Sequence, residues 1–382
     1  MGKKLRDTIL VFHPTARTHD VCDLLSQAQR LHMCRWVSDK TPFSCHHVPI
    51  GTMRLFHRIP ELYVEWRRKH RVIGVMVFFH ATLAHWKLQW DCPKLSRDIK
   101  TGMVAEALYS ATLRGLLAKG AKLLYPTHPD FDEWLSLKKY MHVLPAENFM
   151  LPTILTRLPN RRIWSNHEAL RFMLGCLSWA RDRFEQEKGM IVKLTGGWGG
   201  GNVLYTSLRG ISSRAGEKRF AQAMADKYLN TEAAHVSITG NCHMCFQPAV
   251  DHAFFTELRL YYIRGRYLYS SALRAERRNN SFRLRANAPK HSWAELRKLS
   301  AHLRADPKYD CMVQKVCRMA SELNHSAARF LRFDVFVDRR DPAVWYLNEV
   351  ESLGADLLPP DPEADLRISD IRALYWGQLL DW

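Results

Sequence analysis

The sequence lacks the long apolar runs that membrane spans and secretion signals require. Its longest apolar stretch, residues 72–79, contains Gly74 and is far shorter than the ~20 residues that cross a bilayer. The first seven residues are mostly charged, and no apolar segment with a small-residue cleavage site follows them. We therefore expect neither a membrane partner nor secretion.

The chain lacks the regular, even-numbered cysteine spacing that a disulfide framework requires. The chain has 9 cysteines among 382 residues. An odd number without regular spacing is typical of a reducing compartment, so we expect an intracellular, cytoplasmic protein. Cys242 and Cys245 form one CxxC pair without a second, and a structural zinc site normally needs four ligands. Two ordinary thiols are favoured over a zinc site.

Acidic residues are in the minority, and they are concentrated near the C-terminal end. Lys and Arg total 56 against 38 Asp and Glu, which gives a net charge of +18. Residues 334–382 nevertheless hold eleven acids and four bases. A basic body attracts nucleotides, nucleic acid or an acidic or phosphorylated substrate, whereas carboxylates suit a divalent metal. A surface kept basic for solubility explains most of the charge equally well.

The apolar pattern predicts an α/β region followed by an α+β region. Strands and helices alternate over residues 1–125, as in a small α/β domain. Ser165 and Glu168 predict a capping box that opens a helix, and Arg264-Gly265-Arg266 predicts the turn of a hairpin. Strands are expected at 8–12, 72–79, 122–125, 190–194, 254–263, 267–272, 330–337 and 344–350.

A glycine-rich run follows the strand expected at 190–194. Residues 196–201 contain five glycines, and glycine lets backbone N–H groups approach phosphate oxygens. The run fits neither the dinucleotide-binding pattern nor the P-loop pattern. Lys193 precedes it on the strand, from which its ammonium could reach the same phosphates. An ordinary strand lysine beside a flexible loop is the alternative.

Carboxylates gather on the last two expected strands. Side-chain alternation places Arg332 and Asp334 on one face of the first strand. It places Glu349 and Glu351 together on the second, with Asn348 on the opposite face if that strand is regular. If the two strands pair as a hairpin, the three carboxylates can meet and offer the oxygen ligands that Mg²⁺ prefers. Solvated acids on an edge strand are the alternative, which the apolar neighbours disfavour.

A basic segment precedes these strands. Five arginines lie between residues 274 and 285, with Phe282 among them. The segment could clamp an acidic or phosphorylated substrate, or nucleic acid, through its guanidinium groups. A charged, exposed loop explains it equally well.

The order of these features resembles that of the ATP-grasp superfamily. A glycine loop, a hinge and paired carboxylate strands follow one another from about residue 138 to residue 358, and RimK-like carboxylate–amine ligases look nearest. The resemblance implies a mixed α/β and α+β protein. A small pre-ATP-grasp α/β domain would occupy residues 1–125. An ATP-grasp domain of two α+β subdomains gripping ATP would occupy residues 126–382.

The resemblance also implies site residues. The strand lysine, the glycine loop, the hinge at 246–250, a ribose-binding acid and an asparagine near the transferred phosphate would bind the nucleotide: Lys193, Gly197, Gly199, Gly200, Gln247, Pro248, Ala249, Val250, Glu257 and Asn287. Pro248 stands where the family has an acidic residue. Either Lys138 or Lys139 would be the upstream ATP-binding lysine.

Charge at the reaction centre would come from arginines and from a metal. Arg259 and Arg285 would face the transferred phosphate, and Arg332 would either pair with the metal-binding aspartate or touch phosphate. Asp334, Glu349 and Glu351 would bind the metal. Glu351 departs from the family, which has asparagine at that position more often.

The implied activity is that of an ADP-forming ligase. It would transfer the γ-phosphoryl group of ATP to a carboxylate, and an amine would attack the resulting acylphosphate. It would use ATP with one or two Mg²⁺ ions, for which Mn²⁺ could substitute, and small-molecule or peptide acids and amines. Two alternatives stay open: a small-molecule kinase of the same fold, and a basic nucleic-acid-binding protein with a degenerate nucleotide site.

Overall fold

The computed structural model describes a large part of the chain. The described residues are 7–14, 34–35, 37–51, 53–77, 101–125, 128–158, 165–184, 187–195, 203–228, 243–278, 281–286, 293–324 and 330–351. None of the helices in these ranges is long and apolar enough to cross a membrane.

The described residues divide into two compact units. The first contains those up to Asp132 together with Leu323 and Asn324, and the second contains those from Glu133 to Glu322 and from Phe330 onward. The functional boundary after residue 125 stays a prediction.

The first unit is built on a parallel sheet, which we call sheet I. Its strand order is β2-β1-β3-β4. The strands are β1 (Thr8–Pro14), β2 (Ser44–Ile50), β3 (Val72–Val77) and β4 (Leu123–Tyr125). The helices are α1 (Met53–His57), α2 (Ile59–Arg67) and α3 (Thr101–Ala118). Strands β1, β3 and β4 confirm the expected α/β pattern.

Apolar packing holds the first unit together. Leu10, Phe12 and Val75 of sheet I pack with Phe56 and Leu113 of the helices in one core. Residues 9–12 are completely buried, so β1 is covered on both faces, as is usual for the inner strand of a parallel sheet. Helix α3 is followed by Gly120, which has a φ of 75° and confirms the expected stop.

The second unit contains an antiparallel sheet, sheet II, with the strand order β5-β8-β6-β7. Helix α4 (Pro129–Ser136) precedes it in the chain. Its strands are β5 (Ile154–Arg157), β6 (Gly189–Leu194), β7 (Leu204–Ser207) and β8 (His243–Pro248). Its helices are α5 (Asn166–Arg183) and α6 (Arg214–Tyr228).

Sheet II has one face that packs in an apolar core and an opposite face that carries Lys193. Met190, Val192 and Leu194 of β6 share a core with α5 and α6. Alternation along β6 therefore turns Lys193 to the opposite face. Helix α5 opens with the predicted capping box, because Ser165 Oγ accepts from the Glu168 N–H at 3.2 Å and the Glu168 carboxylate accepts from the Ser165 N–H at 3.1 Å.

The second unit also contains a five-stranded antiparallel sheet, sheet III, with the strand order β11-β10-β9-β12-β13. The strands are β9 (Phe255–Ile263), β10 (Arg266–Arg278), β11 (Ser281–Ala286), β12 (Phe330–Asp338) and β13 (Trp345–Glu351). The helices are α7 (Trp293–Ala305) and α8 (Pro307–Leu323). The pairing of β12 with β13 confirms the predicted carboxylate hairpin.

Helices α7 and α8 cover one face of sheet III. The Tyr262 hydroxyl of β9 lies 3.2 Å from the Tyr309 hydroxyl of α8, and the Arg304 guanidinium of α7 lies 3.9 Å from the ring centre of Tyr267 on β10. Glu257 and Arg259 lie an odd number of positions from Tyr262 along β9, so their side chains point to the opposite face. That opposite face carries the candidate site.

Candidate active site

Strand register builds a row of polar side chains across sheet III. Asp334 of β12 lies opposite Arg259 of β9 on one side and opposite Glu349 of β13 on the other. Ser271 of β10 lies opposite Arg259 and extends the row. Directly opposite residues of an antiparallel ladder point to the same face. We call Ser271, Arg259, Asp334 and Glu349 the site row.

Asp334 is held by a buried guanidinium. Arg332 Nε donates to one carboxylate oxygen at 2.7 Å and Arg332 Nη2 donates to the other at 2.9 Å. Arg259 Nε lies 3.5 Å from the second oxygen, without a hydrogen bond. Burial opposes the charge of Arg332, but the neighbouring Asp334 outweighs it, so the pKa of this guanidinium is raised. Both oxygens of Asp334 are thus engaged by its own strand.

Glu349 is held by a buried lysine. Lys138 adopts a left-handed backbone conformation, with a φ of 49°, at the start of the 3₁₀ helix Lys139–His142, and its ammonium forms an ion pair with Glu349. Burial lowers the pKa of Lys138 to about 8, although Glu351 opposes that shift. Lys139, the next residue, has an exposed side chain. Of the two candidate lysines, the structure brings Lys138 to the carboxylates.

A second lysine reaches sheet III from sheet II. Lys193 Nζ donates to Asn348 Oδ1 at 3.2 Å, and its side chain is buried. The ladder between β12 and β13 is irregular after Asp334, so β13 departs from strict alternation there. The expectation that Asn348 turns away from the acids assumed a regular strand and does not hold. Burial lowers the pKa of Lys193.

Glu257 and the hinge lie near these cations. Glu257 is buried on the same face as the site row, and burial together with Asp334 raises its pKa to about 7. Gln247 is buried and donates from Nε2 to Thr153 Oγ1 at 2.9 Å. Pro248 ends β8, and the Ala249 N–H donates to the Gly189 carbonyl at 2.9 Å. Residues 246–250, with half-buried Val250 at the end, therefore run along β6, the strand that carries Lys193.

Several predicted site residues fall outside this description. Gly197, Gly199, Gly200 and Asn287 are not among the described residues. Arg285 lies on β11 opposite Arg274, and only its backbone is described. The structure therefore brings together Lys138, Lys193, Glu257, Arg259, Arg332, Asp334 and Glu349.

The two cysteines weighed for zinc can be treated only in part, because Cys242 is also outside the described residues. Cys245 is buried opposite Lys193 in the ladder between β8 and β6. Burial raises the pKa of the Cys245 thiol to about 11, which keeps it protonated at neutral pH.

The three predicted metal ligands do not form a ready ligand group. Among the described residues, no three His, Cys, Asp or Glu side chains converge closely enough to hold a metal ion. Asp334 and Glu349 are adjacent across the ladder but face Arg332 and Lys138, and Glu351 lies one step away, opposite Arg332. Mg²⁺ takes one or two carboxylates together with substrate phosphates. The oxygen donors of Asp334 and Glu349 fit that requirement.

Sequence reasoning misplaced one polar residue of this region and missed another. It assigned Asn348 to the face away from the acids, but the ladder irregularity brings Asn348 to Lys193. Ser271 carries no motif, and only the pairing of β10 with β9 places it beside Arg259.

Comparisons with known proteins identify the fold. No protein-family model matches the sequence. No curated protein matches it either. Among solved structures, the D-cycloserine synthetase DcsG is 14% identical with a TM-score of 0.53, over 97% of this chain and 98% of that chain. D-alanyl-alanine synthetase A from Vibrio cholerae O1 biovar eltor is 11% identical with a TM-score of 0.49, over 99% of this chain and 100% of that one.

A third solved structure is the ATP-grasp ligase PsnB complexed with minimal precursor, Mg and ADP. It is 10% identical with a TM-score of 0.47, and 99% of each chain is covered. At such low identities the likeness concerns the fold alone. The chain has the ATP-grasp fold, which confirms the fold expected from the ordered sequence features. The finer resemblance to RimK-like ligases stays a prediction.

Proposed function

We propose that the protein is an ATP- and Mg²⁺-dependent, ADP-forming ligase that joins a carboxylate to an amine. Such a reaction brings several anions together, so its site must supply buried positive charge and a divalent cation. The supporting observation is the cluster of buried cations around the site row: Lys138, Lys193, Arg259 and Arg332.

Burial of these charges is costly, and the cost points to a ligand. A buried charge is retained in proteins when it is paired or when it serves binding or catalysis. Lys138 is paired with Glu349, and Lys193 is bonded to a neutral amide, Asn348. A triphosphate would offer Lys193 a stronger partner than this amide, because phosphate oxygens carry full negative charge, and it would give Lys138 a second anion beside Glu349.

We assign the nucleotide as follows. Lys138 and Lys193 would hold phosphates, and Glu257 would bond the ribose hydroxyls. The hinge at 246–250 would take adenine, and Gly197, Gly199, Gly200 and Asn287 would lie near the phosphates, as the resemblance implies. Lys139 has no role in this assignment, because its side chain is exposed.

Asp334 and Glu349 would hold Mg²⁺, with Glu351 close by. The cation supplies charge neutralisation at the transferred phosphoryl group, and either one or two ions, or Mn²⁺ in their place, would serve. Because the metal would neutralise part of the negative charge of these acids, Arg332 and Lys138 could also interact with the phosphates.

The reaction itself needs little acid–base catalysis. A substrate carboxylate oxygen attacks the γ-phosphorus, the bond to the β-phosphate oxygen breaks, and ADP leaves. An amine then attacks the acyl carbon of the acylphosphate, which releases inorganic phosphate and a proton. Arg259, Arg285 and Arg332 would neutralise the developing charge. Small-molecule or peptide acids and amines both fit this chemistry.

The decisive experiment measures ADP release from ATP and Mg²⁺ with a panel of acids, alone and combined with a panel of amines, and identifies products by mass spectrometry. The ligase is supported if ADP release requires both an acid and an amine and if the mass of the product equals that of acid plus amine minus one water. A phosphorylated acceptor without an amine requirement would identify a kinase instead. Salt-sensitive binding of nucleic acid without ATP turnover would contradict both assignments.

A further inference from the structure

Two neighbouring polar atoms of the site row are buried without a hydrogen bond. They are Arg259 Nε and Ser271 Oγ. Ser271 is only 2% exposed and Arg259 is 8% exposed. Buried polar atoms are satisfied in the great majority of cases, because an unsatisfied one loses its hydrogen bonds to water without replacement. Two such atoms side by side on one sheet face therefore call for an explanation.

Arg259 Nε lacks a hydrogen bond because Arg332 already binds the Asp334 carboxylate. Arg332 takes both carboxylate oxygens at 2.7 and 2.9 Å, so Arg259 Nε stays 3.5 Å from the nearer oxygen. Arg259 thus forms an ion pair with Asp334 but keeps an Nε–H donor without a hydrogen bond.

Ser271 stands on the far side of Arg259 from Asp334 and Glu349. The order across the strands is Ser271, Arg259, Asp334 and Glu349. The next row on the same face places the stacked rings of Tyr269 and Tyr261 beside them, with ring centres 4.2 Å apart. A hydroxyl donor beside a guanidinium whose Nε–H makes no hydrogen bond suits an oxyanion.

We infer that Ser271 is a substrate-binding residue that donates a hydrogen bond to an oxyanion held by Arg259. This inference rests on the proposed function and deepens it. The oxyanion has two possible sources, the carboxylate of the acid substrate and the transferred phosphoryl group. The two share the chemistry of a delocalised, singly or doubly charged oxygen group, so one hydroxyl could serve either.

The chain offers a matched control for this residue. Ser300 on α7 is also 2% exposed, and its Oγ also has no hydrogen bond. It belongs to a helix on the other face of sheet III. Ser271→Ala and Ser300→Ala therefore remove the same group from equally buried surroundings, and both should leave the melting temperature unchanged or slightly raised.

The experiment measures thermal unfolding of the full chain with acetate and with inorganic phosphate as probes. Each anion is titrated alone and in the presence of ADP and Mg²⁺. We expect Ser271→Ala to weaken the affinity for at least one anion about tenfold, while Ser300→Ala and the wild type behave alike. Loss for acetate alone identifies the substrate carboxylate as the source, and loss for phosphate alone identifies the phosphoryl group.

Equal anion affinities in all three proteins would overturn the inference, as would wild-type protein that binds neither anion. Failure of the proposed function has a different signature. In that case ADP with Mg²⁺ would not stabilise any of the three proteins, whatever the anions do.

Discussion

The two units of the protein treat buried charge in opposite ways. Among the residues whose burial is described, every buried Lys, Arg, Asp and Glu side chain lies in the second unit: Lys138, Lys193, Glu257, Arg259, Arg332, Asp334 and Asp338. The buried polar residues of the first unit are Thr8, His13 and Thr112. Burial of an ion is costly unless a partner compensates for it. Apolar packing therefore accounts for the described core of the first unit. Packing does not explain the buried charges of the second unit, and a role in binding or catalysis would explain them.

The two units also differ in sheet architecture, and this accounts for where charged side chains can be buried. Parallel strands such as β1 have apolar side chains on both faces, which leaves no face for charged groups. The antiparallel sheets of the second unit pack their helices on one face and turn alternate residues to the other. Substitutions in the first unit should accordingly change stability, and substitutions in the site row should change turnover.

The largest effect is expected for Asp334→Asn. This change removes the carboxylate that would hold the metal, so ATP turnover should fall by about 10²–10³-fold. ADP release measures the loss, and circular dichroism checks the fold.

Asp338→Asn is the matched control, because Asp338 is also a buried acid on β12 but pairs with Arg340 at the strand end. Its turnover should stay near the wild-type value. Equal turnover in the Asp334→Asn variant would refute the metal assignment.

Leu113→Ala tests the first unit. Leu113 is completely buried in the core of sheet I, and its truncation should lower the free energy of unfolding by about 3 kcal/mol. Denaturant titration measures the loss, and the partly buried Leu117→Ala should lose less. ATP affinity measured well below the unfolding midpoint should stay unchanged. A parallel loss of ATP affinity would break the contrast between the two units.

Lys138→Ala and Lys139→Ala compare a buried and an exposed lysine at adjacent positions in the second unit. The buried Lys138 should matter, because a hydrogen bond to a charged group is worth about 10- to 100-fold in affinity. The exposed Lys139 should change the affinity less than about twofold. Calorimetric titration with a non-hydrolysable ATP analogue measures both. Equal losses would show that burial does not identify the nucleotide lysine.

The smallest effect concerns pH. Burial raises the pKa of Glu257 to about 7 in the folded state, above its ordinary value of 4.5. The unfolded chain therefore releases this proton first as the pH rises, and stability is lost between about pH 4.5 and 7. Glu257→Gln removes the titration, so its stability relative to wild type should rise by about 2–3 kcal/mol across that interval. If the difference in stability between the variant and the wild type does not change with pH, Glu257 keeps an ordinary pKa.

Local sequence signals predicted the elements well. The capping box at Ser165 forms as expected, and the hairpin turn has positive φ at both Arg264 (51°) and Gly265 (72°). The pairing of β12 with β13 was also predictable, because two short apolar strands flank a five-residue turn region. The ATP-grasp fold was accessible from the order of features rather than from any single motif.

The missing parts of the site depend on three-dimensional register. Spacing could not choose between Lys138 and Lys139, because the choice follows from one left-handed residue. Alternation misplaced Asn348, because the ladder is irregular after Asp334. Ser271 could not be found at all, since its neighbour Arg259 is twelve positions away and meets it only across a hairpin.

The pairs Arg332–Asp334 and Lys138–Glu349 have a consequence for how the molecule is handled. Each acid carries an internal counter-ion, so these carboxylates do not rely on dissolved cations to balance their charge while the chain folds. Protein prepared in chelator should therefore keep its structure, and under the proposed function it should regain turnover as soon as magnesium is restored.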